Sequence, residues 1–284
     1  MIYLLIVSVL WAFSFGIIKG NLTGLDSNFV AFVRLFIPFI IFVPFLKISG
    51  LKNKIKISLI FNGGIQFGLM YIFYIYSFQF LKAYEIAVFT ILTPLYVTLI
   101  NDIFQNKFNK LFFTTSVLSI IGAGVIVFQN LDRTNFLLGF IILQLSNLCF
   151  AFGQIYYKRI MNHTESASDK NVFGLLYLGA MIITFVFSMF TTDYTNLEIN
   201  NTQVLSLLYL GAAASGIGFF LWNYGARRTD AGALAIFNNL KIPLGVAASV
   251  FLFGEDGNLL KLLFGFLIIC AALIINEKYK SALN

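Results

Sequence analysis

Ten runs of mostly apolar residues, each close to 20 residues long, follow one another along this chain, and that succession decides what it can fold into. They cover residues 2–18, 28–46, 57–80, 84–101, 111–128, 136–157, 171–190, 203–225, 231–253 and 262–276. An α-helix rises 1.5 Å per residue, so about 20 residues cross the roughly 30 Å hydrocarbon layer of a bilayer. Inside lipid every backbone N–H and C=O needs a partner within the protein, and a run of this length meets that need as a helix. The connectors are short and hold nearly all the charge, which leaves no room for a separate soluble domain. Charged residues make up 11% of the chain, against about 25% in soluble domains. The expectation is an all-α membrane protein with ten transmembrane helices. The first run has no basic stretch before it and no small-x-small site after Trp11-Ala12-Phe13-Ser14-Phe15, so it reads as a mature helix and not as a signal peptide.

The basic residues give the orientation. With both termini in the cytoplasm, thirteen Lys and Arg lie on cytoplasmic connectors, and four (Lys19, Lys82, Arg133 and Lys261) lie on the opposite side. That is the positive-inside pattern. The basic pI of 9.3 therefore reflects topology, and no nucleic-acid partner is expected. Cys149 and Cys270 sit inside apolar runs, and His163 is the single histidine. No metal site, disulfide or other cofactor is expected from that set.

The two halves of the chain echo each other. Phe13-Ser14-Phe15-Gly16-Ile17-Ile18 in the first run resembles Phe150-Ala151-Phe152-Gly153-Gln154-Ile155 in the sixth, and Thr93-Pro94-Leu95 in the fourth matches Ile242-Pro243-Leu244 in the ninth. Five is odd, so two five-helix halves, residues 1–130 and 136–280, have opposite orientations in the membrane. Inverted repeats of this kind place a substrate site near the midplane, where the halves meet. Pro94 and Pro243 are read as mid-span kinks that shape a cavity.

Polar side chains inside the apolar runs locate that site. Gln144, Asn147, Ala151 and Gln154 are spaced 3, 4 and 3, which stacks them on one helical face. Asn62 and Gln66 form a similar stripe in the third run, followed by Tyr71 and Tyr74. Trp222 and Asn223 lie in the eighth run, and Asn238-Asn239-Leu240-Lys241-Ile242-Pro243 in the ninth. Lys241 falls near mid-span, where a charge costs about 2.5–3.5 kcal/mol on insertion scales. No acidic residue lies near mid-span, so the ammonium lacks a counter-ion of its own chain, and an anionic substrate is expected to supply one. Lys241, Asn238, Gln144, Asn147, Gln66, Trp222, Tyr74 and Trp11 are the candidate substrate-binding residues. Arg34, about six residues into the second run, is given a structural or gating role with Asp26 or Glu85 as its partner, because cations near helix ends reach outward. With one histidine and no mid-span acid, the chain cannot assemble an enzyme's nucleophile, base or metal centre.

These residues resemble the EamA-type branch of the drug/metabolite transporter superfamily. The likeness runs through Leu10-Trp11-Ala12-Phe13-Ser14-Phe15, Val33-Arg34-Leu35, Pro94, Pro243 and Phe253-Gly254-Glu255, and covers nearly the whole chain. Gln144-Leu145-Ser146-Asn147, Trp222-Asn223-Tyr224-Gly225-Ala226 and Asp230-Ala231-Gly232 resemble the bacterial biotin uptake permeases within it, also labelled carboxylate/amino acid/amine transporters. Where that branch has a glutamate after the fourth span, this chain has Asn101-Asp102. The resemblance implies a secondary transporter in the bacterial inner membrane that imports a small anionic metabolite, with biotin the expected substrate. Biotin joins a carboxylate to an apolar tail and a ureido ring, which suits one cation, several amides and aromatic walls. Export of amino acids or other amphipathic metabolites is the alternative.

Overall fold

The computed structural model describes residues 1–22, 24–77, 79–81, 86, 89–127, 136–164, 167–253 and 258–280; for a few of these within helices only the backbone is described. Among them there are helices and no strands. In chain order the helices are α1 (Ile2–Asn21), α2 (Ser27–Phe42, extended by a 3-10 turn to Phe45), α3 (Asn53–Ser77), α4 (Thr93–Gln105), α5 (Lys110–Val127), α6 (Phe136–Asn162), α7 (Asp169–Thr191), α8 (Asn201–Arg227), α9 (Ala231–Phe253) and α10 (Leu259–Lys280). Six are long and apolar enough to cross a membrane: α2 with its extension, α3, α6, α7, α8 and α10. The protein is a polytopic membrane protein.

The connectors carry side-chain signals that start five of the helices. Side-chain oxygens of Asp and Asn accept hydrogen bonds from the orphan N–H groups of a first turn. Asp26 takes Asn28 N and Phe29 N at the head of α2. Asn109 takes Phe112 N in α5, Asp230 takes Ala233 N in α9, and Asn258 takes Lys261 N in α10. Asn200 and Gln203 form a reciprocal capping box on α8.

The packing pairs helices across the chain. α2 lies along α7, and α5 along α10. α1 packs on α9 as α6 packs on α4, and α3 packs on α7 as α8 packs on α2. Glycines bring α3 and α7 into backbone contact: a Cβ on Gly63 would sit 1.9 Å from the Leu176 carbonyl oxygen, and one on Gly179 would sit 1.9 Å from that of Ile60.

Two features depart from the sequence expectation. Pro94 lies in the first turn of α4, immediately after a turn at Ile91-Leu92, and not in mid-helix. Its missing N–H falls where no helical bond forms, so it opens a helix and does not kink one. Pro243 does lie inside α9. In addition, α3 and α8 each switch to π winding in mid-course, over Gly64–Leu69 and Leu210–Ile217. A π segment shifts the hydrogen-bond ladder and frees carbonyls for other partners, and such segments are frequent at functional sites.

Candidate substrate cavity

The two π segments flank a cavity. Its open mouth included, it holds about 730 Å³ of space. α1 contributes Trp11 and Ser14, one helical turn apart. α3 contributes Met70, Tyr71 and Tyr74, and α6 contributes Ser146, Asn147 and Phe150. Arg34 comes from α2, Thr93 from the start of α4, Thr90 from just before the turn that precedes α4, Phe219 from α8, and Lys241 from α9. None of these lining residues is acidic.

Carbonyls freed by the π winding of α8 are taken up by side chains from other helices. Trp11 Nε1 donates to Ala214 O at 2.9 Å. Tyr177 Oη donates to Ser215 O at 2.8 Å and to Gly216 O at 2.6 Å. The first bond fixes the Trp11 indole across the cavity wall, against Trp222, Phe219 and Phe150 at centroid distances of 4.9, 5.6 and 5.9 Å. On the other side, Ser146 Oγ donates to Met70 O at 2.9 Å, just past the π segment of α3.

The two cations are held differently. Arg34 is buried and closes a triangle: its Nη2 donates to Tyr71 Oη at 2.7 Å and to Ser215 Oγ at 3.3 Å, and those two hydroxyls are 3.0 Å apart. Its guanidinium lies 4.6 Å from the Tyr71 ring centroid. Lys241 is half-buried, with Nζ 5.9 Å from the Trp11 ring centroid. Among the described residues it makes no hydrogen bond and no ion pair.

The structure sorts the sequence candidates into groups. Lys241, Trp11, Tyr74 and Asn147 line the cavity. Gln144 sits one turn behind Asn147 and holds it in place. Gln66, Trp222 and Asn238 do not line it. They belong to a buried amide network displaced toward the Asn53, Asn162, Arg227 and Ala231 ends of their helices. Gln66 pairs with Asn223 and Asn62, while Gln154 Oε1 accepts from Trp222 Nε1 at 2.9 Å and from Asn238 Nδ2 at 3.3 Å. The reason is satisfaction: in hydrocarbon these side chains find one another across helices. Arg34 departs from its expected place too. It faces the cavity, and Asp26 caps α2 instead of pairing with it. Glu85 lies outside the described residues. Ser14, Thr90, Thr93 and Ser146 were not singled out from the sequence, because single hydroxyls in a span look alike whether they pack or line a cavity; adjacency of Ser146 to Asn147 was the one available signal.

An apolar helical bundle around a cavity lined in part by polar side chains is the architecture of a membrane carrier. The chain belongs to the EamA-like transporter family, which matches residues 1–128 and again 137–277. It is 34% identical over 281 residues to the biotin transporter of Salmonella typhimurium, covering 98% of this chain and 93% of that one. It is 33% identical over 277 residues to a probable biotin transporter of Pseudomonas aeruginosa, covering 97% and 96%. A probable amino-acid metabolite efflux pump of Salmonella typhimurium is 25% identical, with 96% of this chain and 92% of that one covered. A solved crystal structure at 12% identity shares the fold with a TM-score of 0.79, over 96% of this chain and 95% of the other. The family and these relatives are transporters, so the chain is a transporter and not an enzyme.

Proposed function

We propose that this protein imports biotin, or a small anion closely like it, across the bacterial inner membrane by alternating access. The observation that carries the reading is Lys241: a lysine in a cavity whose described lining holds no carboxylate, and which makes no hydrogen bond or ion pair with the described residues. A charge held inside a membrane-spanning bundle without a partner is costly, and a substrate carboxylate relieves that cost when it binds. Trp11, Phe150 and Phe219 offer an apolar wall to the rest of the ligand. The names of the relatives at 33–34% identity agree with this substrate.

The ten helices are taken as ten spans with both termini in the cytoplasm, forming two inverted halves over 1–130 and 136–280. The double family match supports this. So do the exchanged pairings α1–α9 with α6–α4 and α3–α7 with α8–α2, and the π segments at corresponding places in α3 and α8.

Uptake of labelled biotin by a biotin-requiring, transport-deficient host is the test. The wild-type protein is expected to restore uptake. Lys241→Met is expected to abolish most of it while still inserting at wild-type abundance. A well-expressed wild-type protein that gives no uptake removes the substrate, and normal kinetics in Lys241→Met remove the lysine from the site. The efflux-pump relatives favour a second reading, export of amino-acid metabolites; it predicts resistance to those compounds on overexpression and no change in vitamin uptake.

A further inference from the structure

One part of the cavity lining presents hydrogen-bond acceptors, and this follows from bonds already made. Asn147 is buried at 5% exposure and lines the cavity. Its Nδ2 donates to Phe89 O at 3.1 Å and to Gln144 Oε1 at 3.1 Å, so both amide hydrogens are committed away from the ligand space. Gln144 Nε2 donates to the same Phe89 carbonyl at 3.3 Å, and Gln144 Oε1 also accepts from Tyr96 Oη at 3.0 Å. A backbone carbonyl can only accept. Phe89 O therefore fixes which way both amides point: flipping either would set two oxygens against each other. Asn147 Oδ1 is left as the amide's free polar atom. It accepts no bond from a described residue, and it is not among the buried atoms without a partner.

Three hydroxyls of the lining behave in the same way. Ser14 Oγ donates to Leu10 O at 3.2 Å, Thr93 Oγ1 to Thr90 O at 2.7 Å, and Ser146 Oγ to Met70 O at 2.9 Å. With their protons on backbone carbonyls, as Ser and Thr in helices often place them, these three offer only lone pairs to a ligand. The charged donors of the cavity are the two cations, Arg34 and Lys241.

We propose that Asn147 Oδ1 is a specificity determinant that accepts a hydrogen bond from an uncharged N–H of the substrate, as in a urea or lactam, with Gln144 as the residue that positions it. The donor is uncharged because an ammonium would enter a cavity holding two cations and no described carboxylate, at the desolvation cost of a full charge. The substrate class is thus a carboxylate joined through an apolar body to a neutral N–H group. This deepens the biotin reading and rests on it.

The test is competition against labelled-biotin uptake in cells bearing the full-length protein. The probes are two biotin analogues in which one ureido N–H or the other is replaced by oxygen, and the diamine that keeps the carboxylate but carries amines in place of the urea. For the wild type, at least one oxygen analogue is expected to compete about tenfold more weakly than biotin, the scale of a hydrogen bond lost and an acceptor left facing an acceptor, and the diamine is expected not to compete. In Asn147→Leu the discrimination between biotin and that analogue is expected to collapse to less than about threefold, and in Gln144→Leu to fall partway, as the amide becomes free to turn. Wild type that accepts both oxygen analogues as well as biotin overturns the proposal, and so does Asn147→Leu that keeps the full discrimination. The arms on the wild type need no variant to fold. Absence of any biotin uptake by the wild type overturns the substrate reading and this proposal together, so the two failures are distinguishable.

Discussion

Gln66 and Asn223 hold each other through a reciprocal amide pair, Gln66 Nε2 donating to Asn223 Oδ1 at 3.0 Å and Asn223 Nδ2 donating back to Gln66 Oε1 at 3.4 Å. Both side chains are fully buried. Gln66 lies in the π segment of α3, and Asn223 lies in α8 less than two turns beyond its π segment. The pair therefore ties together the two helices whose winding shapes the cavity. Replacing either residue alone by Leu leaves the other amide buried and unpaired, which costs about 1–3 kcal/mol. Each single variant is expected to melt at lower temperature in detergent, and the double Leu variant to recover part of the loss. Full recovery is not expected, because Asn62 Nδ2 also donates to Gln66 Oε1 at 3.3 Å. Single variants that melt with the wild type remove the tie.

Gly63→Ala and Gly179→Ala are expected to be among the most damaging single-methyl changes in the chain. Each new methyl meets a backbone carbonyl of the opposing helix at 1.9 Å, Leu176 O or Ile60 O, and backbone cannot move aside as a flexible side chain can. Gly20→Ala, in α1 with nothing within 4 Å of the added atom, is the control; it is expected to be neutral or stabilising by about 0.5–1 kcal/mol through helix propensity. Thermal melting with yield of folded protein is the measurement. Equal melting of Gly63→Ala and Gly20→Ala is incompatible with the close α3–α7 contact.

Most of the architecture was legible because lipid leaves a chain few choices. Most of the apolar runs coincide with described helices, while the capping roles of Asp26, Asn200, Asp230 and Asn258 emerged only from the structure. The place of Lys241 about ten residues into the ninth run marked it as a charge expected near mid-span. What could not be read was the use made of each buried amide. Asn147 and Gln66 present the same side chain chemistry in similar stripes, yet one faces the cavity and the other is consumed by Asn223. That outcome depends on the rotation of each helix about its own axis, and the π segments alter that rotation in α3 and α8. Pro94 misled for a related reason: proline marks a break in helical bonding, but a break and a helix start carry the same residue.

Arg34 tests whether the cavity needs a second cation or a second geometry. One guanidinium nitrogen reaches both Tyr71 Oη and Ser215 Oγ while Cζ stands 4.6 Å from the Tyr71 ring centroid. Lysine keeps the charge but not the planar fork or the stacking. Arg34→Lys is therefore expected to lower transport at least about tenfold, more than the loss of one bond in Ser215→Ala, which leaves the Tyr71 contact in place. Uptake kinetics at matched expression decide it. Wild-type rates in Arg34→Lys show that charge alone is used there.

A last relationship bears on how the cavity is closed on the cytoplasmic side of the proposed topology. Asp169, at the start of α7 and 4% exposed, accepts from Tyr157 Oη of α6 at 2.8 Å and pairs with Arg227 of α8 at 2.9 Å, while Arg228 stands at 3.7 Å. Arg227 Nε also reaches Asn162 Oδ1 at 3.3 Å. One carboxylate thus joins three helices whose next layer inward is the Gln154–Trp222–Asn238 network and then the cavity floor. Removing the charge in Asp169→Asn leaves two arginines facing each other with no anion between them. It is expected to loosen that end and favour a cavity open to the cytoplasm. With Cys149 and Cys270 replaced by Ala, a reporter at Asn238→Cys is expected to be protected from a charged thiol reagent in inverted vesicles, and to react several-fold faster once Asp169→Asn is added. Equal labelling rates with and without Asp169→Asn would show that the closure lies elsewhere.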